Sequence, residues 1–287
     1  MISVFFAFIF IFTLQRLSPI DFVQAASITW TGTSGDGLWE TAGNWSNNAV
    51  PTTSDDVTIS GTVTTTLSSG QTANFNSLTI GDGTNATALI LTGNIGTGGS
   101  ITLANRGTLI QNNTTQQIIT GTLTIQSGGV LKHSANSTAQ SYVVNLKAAT
   151  IDLQSGGAVN VDGLGYAAGT AGSGGYGPGG GGYIKASRAG GGGHGGNGAH
   201  GGTGATSESG GGIDGDGGVA YCDVTDVATI GSGGGATASV TGTGNGGGLV
   251  ILEATGTATI SGTLSAKGLA AGSATIGGGA GGGIKLT

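Results

Sequence analysis

Four charged residues have the types and spacing for acid–base chemistry. Asp152 and Asp162 fall in successive strand-like segments, near Lys132 and Lys147. Two carboxylates beside a lysine on one outer face can move protons at a glycosidic bond, as polysaccharide lyases and hydrolases built on stacked strands do. Charge is scarce, however, at 8% of 287 residues. Solvated surface decoration is the competing reading, and no catalytic residue is assigned. His133 adds no decisive partner.

Other motifs are weaker. The stretch "GGIDGDGG" (211–218) has half the pattern of a calcium-binding glycine repeat, with Asp214 and Asp216 as oxygen ligands and Asp223 and Asp226 close in sequence. It occurs once, without tandem copies, so solvated turn aspartates compete with calcium and no other cofactor is expected. His194 and His200 are too few for a metal site. "GNGAHG" (196–201) matches a dinucleotide-binding spacing, but it neither follows a strand nor opens a helix. The runs "TVTTT" (62–66), "TLTI" (122–125) and "TATI" (257–260) raise ice binding through a flat threonine array. Unequal repeat lengths argue against one flat face.

The elements that would position these residues repeat along the chain. The triplets "VTI" (57–59), "LTI" (78–80), "ITL" (101–103), "LTI" (123–125) and "IDL" (151–153) end on Ile59, Ile80, Leu103, Ile125 and Leu153. Each alternates apolar and polar, which turns two side chains to one face of a strand. Recurrence every 20 to 30 residues is the signature of a solenoid. The expected fold is all-β, a right-handed parallel β-helix, with inward Ile, Leu and Val forming axial ladders. An antiparallel sandwich of short strands is the alternative.

From Gly163 to Gly248 the pattern changes, with 36 glycines in 86 residues. Glycine clusters run directly into apolar strands at 179–187, 246–255 and 281–287. Ordered loops leaving the solenoid are the first expectation, since glycine permits positive φ and close chain approach. A bundle of polyproline-II-like segments is the second, and a flexible linker the third.

The apolar run Val4–Phe12, followed by "VQA" (23–25), has the form of a secretory signal peptide cleaved after Ala25 or Ala26. A membrane anchor is the alternative, although the run is shorter than the ~20 residues a spanning helix needs. No membrane span is expected in the mature chain. A net charge of −6 with eight basic residues and no basic cluster argues against nucleic acid as a partner. The lone Cys222 has no intrachain disulfide partner.

The segment 28–59, "ITWTGTSGDGLWETAGNWSNNAVPTTSDDVTI", is the most specific of the chain. Its W-x-G, N-W-S, V-P and D-D-V-x-I elements resemble the opening segment of bacterial secreted β-helix surface proteins, the autotransporter-like and filamentous-haemagglutinin-like adhesins. The resemblance implies that Trp30, Trp39 and Trp45 cap the open end of the first rung. It brings no catalytic residues. The expected organisation is a signal peptide (1–25), a cap segment (26–56), β-helix rungs (57–162), a glycine-rich insert (163–248) and resumed rungs (249–287). The end at "GGGIKLT" is expected to fall within a rung of a larger surface protein. The expected function is a non-enzymatic structural or adhesive protein, secreted or at the cell surface, with glycans or proteins of a cell surface or matrix as partners. A carbohydrate-active β-helix enzyme or glycan binder is the second expectation, and ice binding the third.

Overall fold

A computed structural model describes residues 25–183, 188–201, 215–223, 225 and 227–287. The expected leader lies outside the described residues except for Ala25, as do residues 184–187 of the first glycine-to-strand segment. The described strands are β1 (Ser27–Thr29), β2 (Asp56–Ile59), β3 (Val63–Leu67), β4 (Thr72–Ile80), β5 (Thr87–Leu91), β6 (Asn94–Leu103), β7 (Gly107–Gln111), β8 (Gln117–Ile125), β9 (Val130–His133), β10 (Val144–Leu153), β11 (Ala158–Asn160), β12 (Leu249–Ile260), β13 (Thr263–Ser265) and β14 (Gly283–Leu286).

These strands form two sheets. One has eight strands in the order β1-β2-β4-β6-β8-β10-β12-β14, and the other six in the order β13-β11-β9-β7-β5-β3. Neighbours within each sheet pair in parallel. From β2 to β13 the chain therefore alternates between the sheets, and each strand lies beside the one two before it. The fold is all-β with two parallel sheets.

Alternation of branched apolar and small polar residues makes these segments strands. It also sets which side chains meet. Ile59 is opposite Ile80, Ile80 opposite Leu103, Leu103 opposite Ile125, and Ile125 opposite Leu153. All five are fully buried. Leu89, Leu109, Leu131 and Val159 make a matching file on the six-stranded sheet. Each such side chain contributes roughly 1.5–3 kcal/mol through burial. Both faces of the core are lined by continuous apolar files, as buried parallel sheets require.

Unequal repeat lengths are absorbed away from these files. Register shifts interrupt the β4–β6, β6–β8 and β8–β10 pairings upstream of the conserved-register triplets. The longest interval contains the loop between β9 and β10, which is organised by the buried Asn136. Its amide donates to the carbonyls of Tyr142 and Leu164 and accepts from the Ser141 and Tyr142 amides.

The segment before β2 covers one end of both sheets. β1 pairs with β2, and Leu38 makes a parallel bridge to Thr66 on β3. Trp30, Trp39 and Trp45 are buried in the same core cluster as the aliphatic files. Trp45 meets Trp30 and Trp39 edge to face, with ring centroids 5.0 and 4.8 Å apart. Its Nε1 donates to the Trp39 carbonyl at 2.8 Å. The buried Asn44 donates to Asp36 and to the Leu38 carbonyl, and Asp36 also accepts from the Leu38 amide and the Thr41 hydroxyl. These bonds hold the Asp36 carboxyl below the usual range. Asp55 closes the turn before β2 by accepting from the amide and hydroxyl of Thr52.

The glycine tract is built on hydrogen bonds between segments that are not strands. Tyr166 N donates to Gly231 O, Gly169 N to Gly234 O and Gly172 N to Thr237 O, at 2.8 to 3.0 Å. Donor and acceptor both advance by three residues. The same step recurs where Ala189 and Gly192 donate to Thr275 and Gly278, and with the acceptor running back by three where Gly190 and Gly193 donate to Gly182 and Gly179. Three residues per turn, with backbone groups pointing outward, is the repeat of a polyproline-II helix. The packed-segment expectation thus describes this region better than loops leaving the sheets.

At the centre lies 231–237, buried throughout. A Cβ on Gly233 would meet the Ala167 carbonyl oxygen, one on Gly234 that of Gly277, and one on Gly235 that of Gly182. Among the described glycines of 163–248, only Gly163, Gly172, Gly177 and Gly215 have positive φ. Close approach of backbones is therefore the dominant reason for glycine here. The packing also continues past Gly248: Gly279 N donates to Leu269 O, and Gly282 N to Ala266 O. Gly234→Ala is expected to cost about 2–3 kcal/mol through overpacking. Gly195→Ala, with open space around the new methyl, is expected to change stability by less than about 0.5 kcal/mol. Urea unfolding of the two variants measures the difference, and equal midpoints would contradict the packing account.

Candidate functional site

The four residues with acid–base potential do not converge. Lys147 and Asp152 lie on β10 of the eight-stranded sheet, whereas Lys132 is on β9 and Asp162 follows β11, both belonging to the other sheet. Lys147 pairs with Glu253 at 2.5 Å, and this bond holds the Glu253 carboxyl below its usual value. Asp152 accepts from Gln154 at 2.8 Å. Asp162 accepts from the Ser265 hydroxyl and the Lys267 amide, both at 2.6 Å. Lys132 and Asp162 do share a groove of about 250 Å³ with Asn160 and Leu164. That groove holds one of the two carboxylates.

The glycine bundle carries a cleft of about 350 Å³, lined in part by Pro178, Asn197, His200, Asp216 and Val219. His200 and Asp216 form an exposed pair at 3.0 Å. Asp214 and Asp226 lie outside the described residues, and Asp223 accepts from the amide and hydroxyl of Thr225. Among the described residues, no three His, Cys, Asp or Glu side chains are grouped to hold a metal. Deeper in the bundle His194 contacts the Thr229 hydroxyl at 2.9 Å and packs edge-on to Tyr221. The Tyr221 hydroxyl donates to the Ile230 carbonyl and accepts from Ser232, and burial pushes it up to about 12. This cluster braces the central segment.

The most ordered surface is the outward face of the eight-stranded sheet. Thr29 stands opposite Thr58, Thr58 opposite Thr79, Thr79 opposite Thr102, and Thr102 opposite Thr124. The file continues through Asp152 to Thr259. Two residues upstream runs a second file, in which Ser77 faces Ser100, and Thr122 faces Thr150 and then Thr257. The Thr122 amide donates to the Ser100 hydroxyl, which joins the two halves. The spacing is ~4.8 Å along each file and roughly 6.6 Å between files. The outward face of the six-stranded sheet differs, with Ile90, Ile110 and Lys132 in one of its files. The triplets announced these threonines one at a time. Their alignment depends on register, which unequal step lengths concealed.

Residues 29–155 match a family described as a domain of unknown function, DUF8693. The match spans the tryptophan segment and the strands through β10, short of the glycine bundle. No curated protein and no solved structure matches the chain.

The histidine with the clearest structural task is His133. It is fully buried at the end of β9, where its Nδ1 bonds the Ser134 carbonyl at 2.7 Å and its Nε2 accepts from the Leu249 amide at 3.2 Å. That assigns the proton to Nδ1 and joins the first residue of β12 to the sheets. Burial lowers its pKa from 6.5 to about 4. An unfolded chain then binds a proton that the folded chain refuses between those values, so stability is full above pH 6.5 and falls as pH drops toward 4. The loss is on the order of 3 kcal/mol. His194, also depressed by burial, acts in the same direction. Urea midpoints from pH 7 to 4.5 are expected to fall, and His133→Gln to flatten most of that slope. A His133 ring that titrates near 6.5 by NMR in the folded protein would contradict this.

Proposed function

We propose that this chain is an exported, non-enzymatic surface protein: a right-handed parallel β-helix that serves as a rigid adhesive or structural element. The observation that carries the reading is the parallel stacking of strands in two alternating sheets over continuous aliphatic files. Stacking of this kind gives extended, regular outer faces whose length grows with each repeat. Rigid, sparsely charged faces suit attachment to other surfaces. The Trp30–Trp39–Trp45 group supports the reading by covering one edge of both sheets, which blocks edge-to-edge growth.

The polar groups support the same reading. Lys147, Asp152 and Asp162 are each tied to a neighbour within the fold, and the two carboxylates lie apart, Asp152 on β10 and Asp162 in the turn after β11. A signal peptide at 1–25 would deliver the chain to the outside, where glycans or proteins of a cell surface or matrix are the proposed partners. Among the described residues, no helix is long and apolar enough to cross a membrane.

The test is retention without turnover. Labelled full chain, incubated with cells, abiotic surfaces and a panel of polysaccharides, is expected to stay bound after washing and to release no new reducing or unsaturated sugar ends. Sugar release that disappears in Asp162→Ala would contradict the proposal and establish an enzyme.

A further inference from the structure

We infer that the outward hydroxyl face of the eight-stranded sheet binds ice. The inference rests on the stacked-strand adhesive reading above and names the surface that such a protein would grip.

Register is the first argument. Threonines from β1, β2, β4, β6 and β8 stand in one file, joined across the sheet by the second file of Ser77, Ser100, Thr122 and Thr150. The result is a two-dimensional grid of ~4.8 by roughly 6.6 Å. A small soluble molecule touches one or two points of such a grid and gains nothing from the rest. A ligand with its own two-dimensional repeat engages many weak contacts at once, and these multiply. The short oxygen repeat of hexagonal ice comes close to the ~4.8 Å spacing between strands.

Chemistry is the second argument. Other threonines of the fold use their hydroxyls internally, as Thr87 does toward Gly61 O and Thr120 toward Gly98 O. The hydroxyls of Thr58, Thr79, Thr102 and Thr124 have no partner among the described residues and are left to water. Each also carries a methyl group on a branched, stiff side chain. Charge is nearly absent from the grid, and the two acids on it are engaged, Asp56 by Asn76 and Ser77 and Asp152 by Gln154. Crystalline polysaccharide is the other periodic solid, but its recognition favours aromatic platforms, and the two files contain none. The aliphatic positions on the six-stranded sheet show that hydroxyls are not simply what any outward position here receives.

The experiment is slow growth of ice from a solution of the full chain, read as the fraction of protein incorporated and as thermal hysteresis. Incorporation of the wild-type chain is expected. Thr102→Tyr, at the middle of the grid, is expected to reduce hysteresis roughly tenfold, and Thr108→Tyr, on the outward face of the six-stranded sheet, to leave it unchanged. Thr259→Tyr, on the exposed part of β12, provides a second grid variant should Thr102→Tyr not fold. Exclusion of the folded wild-type chain from ice would overturn the proposal, as would equal effects of the Thr102 and Thr108 variants. Capture on crystalline cellulose or chitin without ice incorporation would overturn it in favour of a polysaccharide. Failure of the stacked-strand reading is distinguishable, because it appears as the loss of a cooperative β-type unfolding transition in the wild-type chain itself.

Discussion

Parallel backbone pairing between successive passes of the chain is the constraint on which everything else depends. It places residues of equal position directly beside one another, ~4.8 Å apart. Inside, that brings Ile59, Ile80, Leu103, Ile125 and Leu153 into one buried file. Outside, it brings Thr58, Thr79, Thr102 and Thr124 into another. The same register therefore makes both the core and the outward grid, and a slip of one residue would exchange them.

The glycine bundle extends the chain by a different route to the same end. Its backbones are also paired between neighbours, but with a three-residue repeat and without side chains between them. Segment 231–237 sits at its centre, where added methyl groups would meet carbonyl oxygens of the adjoining segments. The bundle is joined to the sheets where Leu249 N meets His133 and where Gly248 N meets Val161 O. A neutral, buried imidazole at this junction makes the connection sensitive to acid.

Much of this was legible in the sequence because side-chain period reports which face of a strand each residue takes. The triplets fixed the inward residues, and the polar partner in each triplet fixed the outward ones. Three things were hidden, each for a physical reason. Glycine carries no side-chain period, so the three-residue repeat of the bundle could be named only as a second expectation behind loops. The Asp36–Asn44 bonds that shape the tryptophan segment are contacts of polar residues, which periodicity does not weigh. The alignment of threonines required knowing that bulges and the loop around Asn136 absorb the unequal steps. The tryptophan segment lies at one end of both sheets, where its three large apolar rings join the core cluster.

The stacking itself can be measured directly. Spin labels at Thr58→Cys and Thr259→Cys, in a Cys222→Ser background, sit on β2 and β12. In the order β2-β4-β6-β8-β10-β12 these strands are separated by five inter-strand steps, which places the backbones about 24 Å apart. A narrow distance distribution centred near that value is the predicted result. A broad distribution, or one centred well beyond 40 Å or so, more than the five strand spacings allow, would contradict the account.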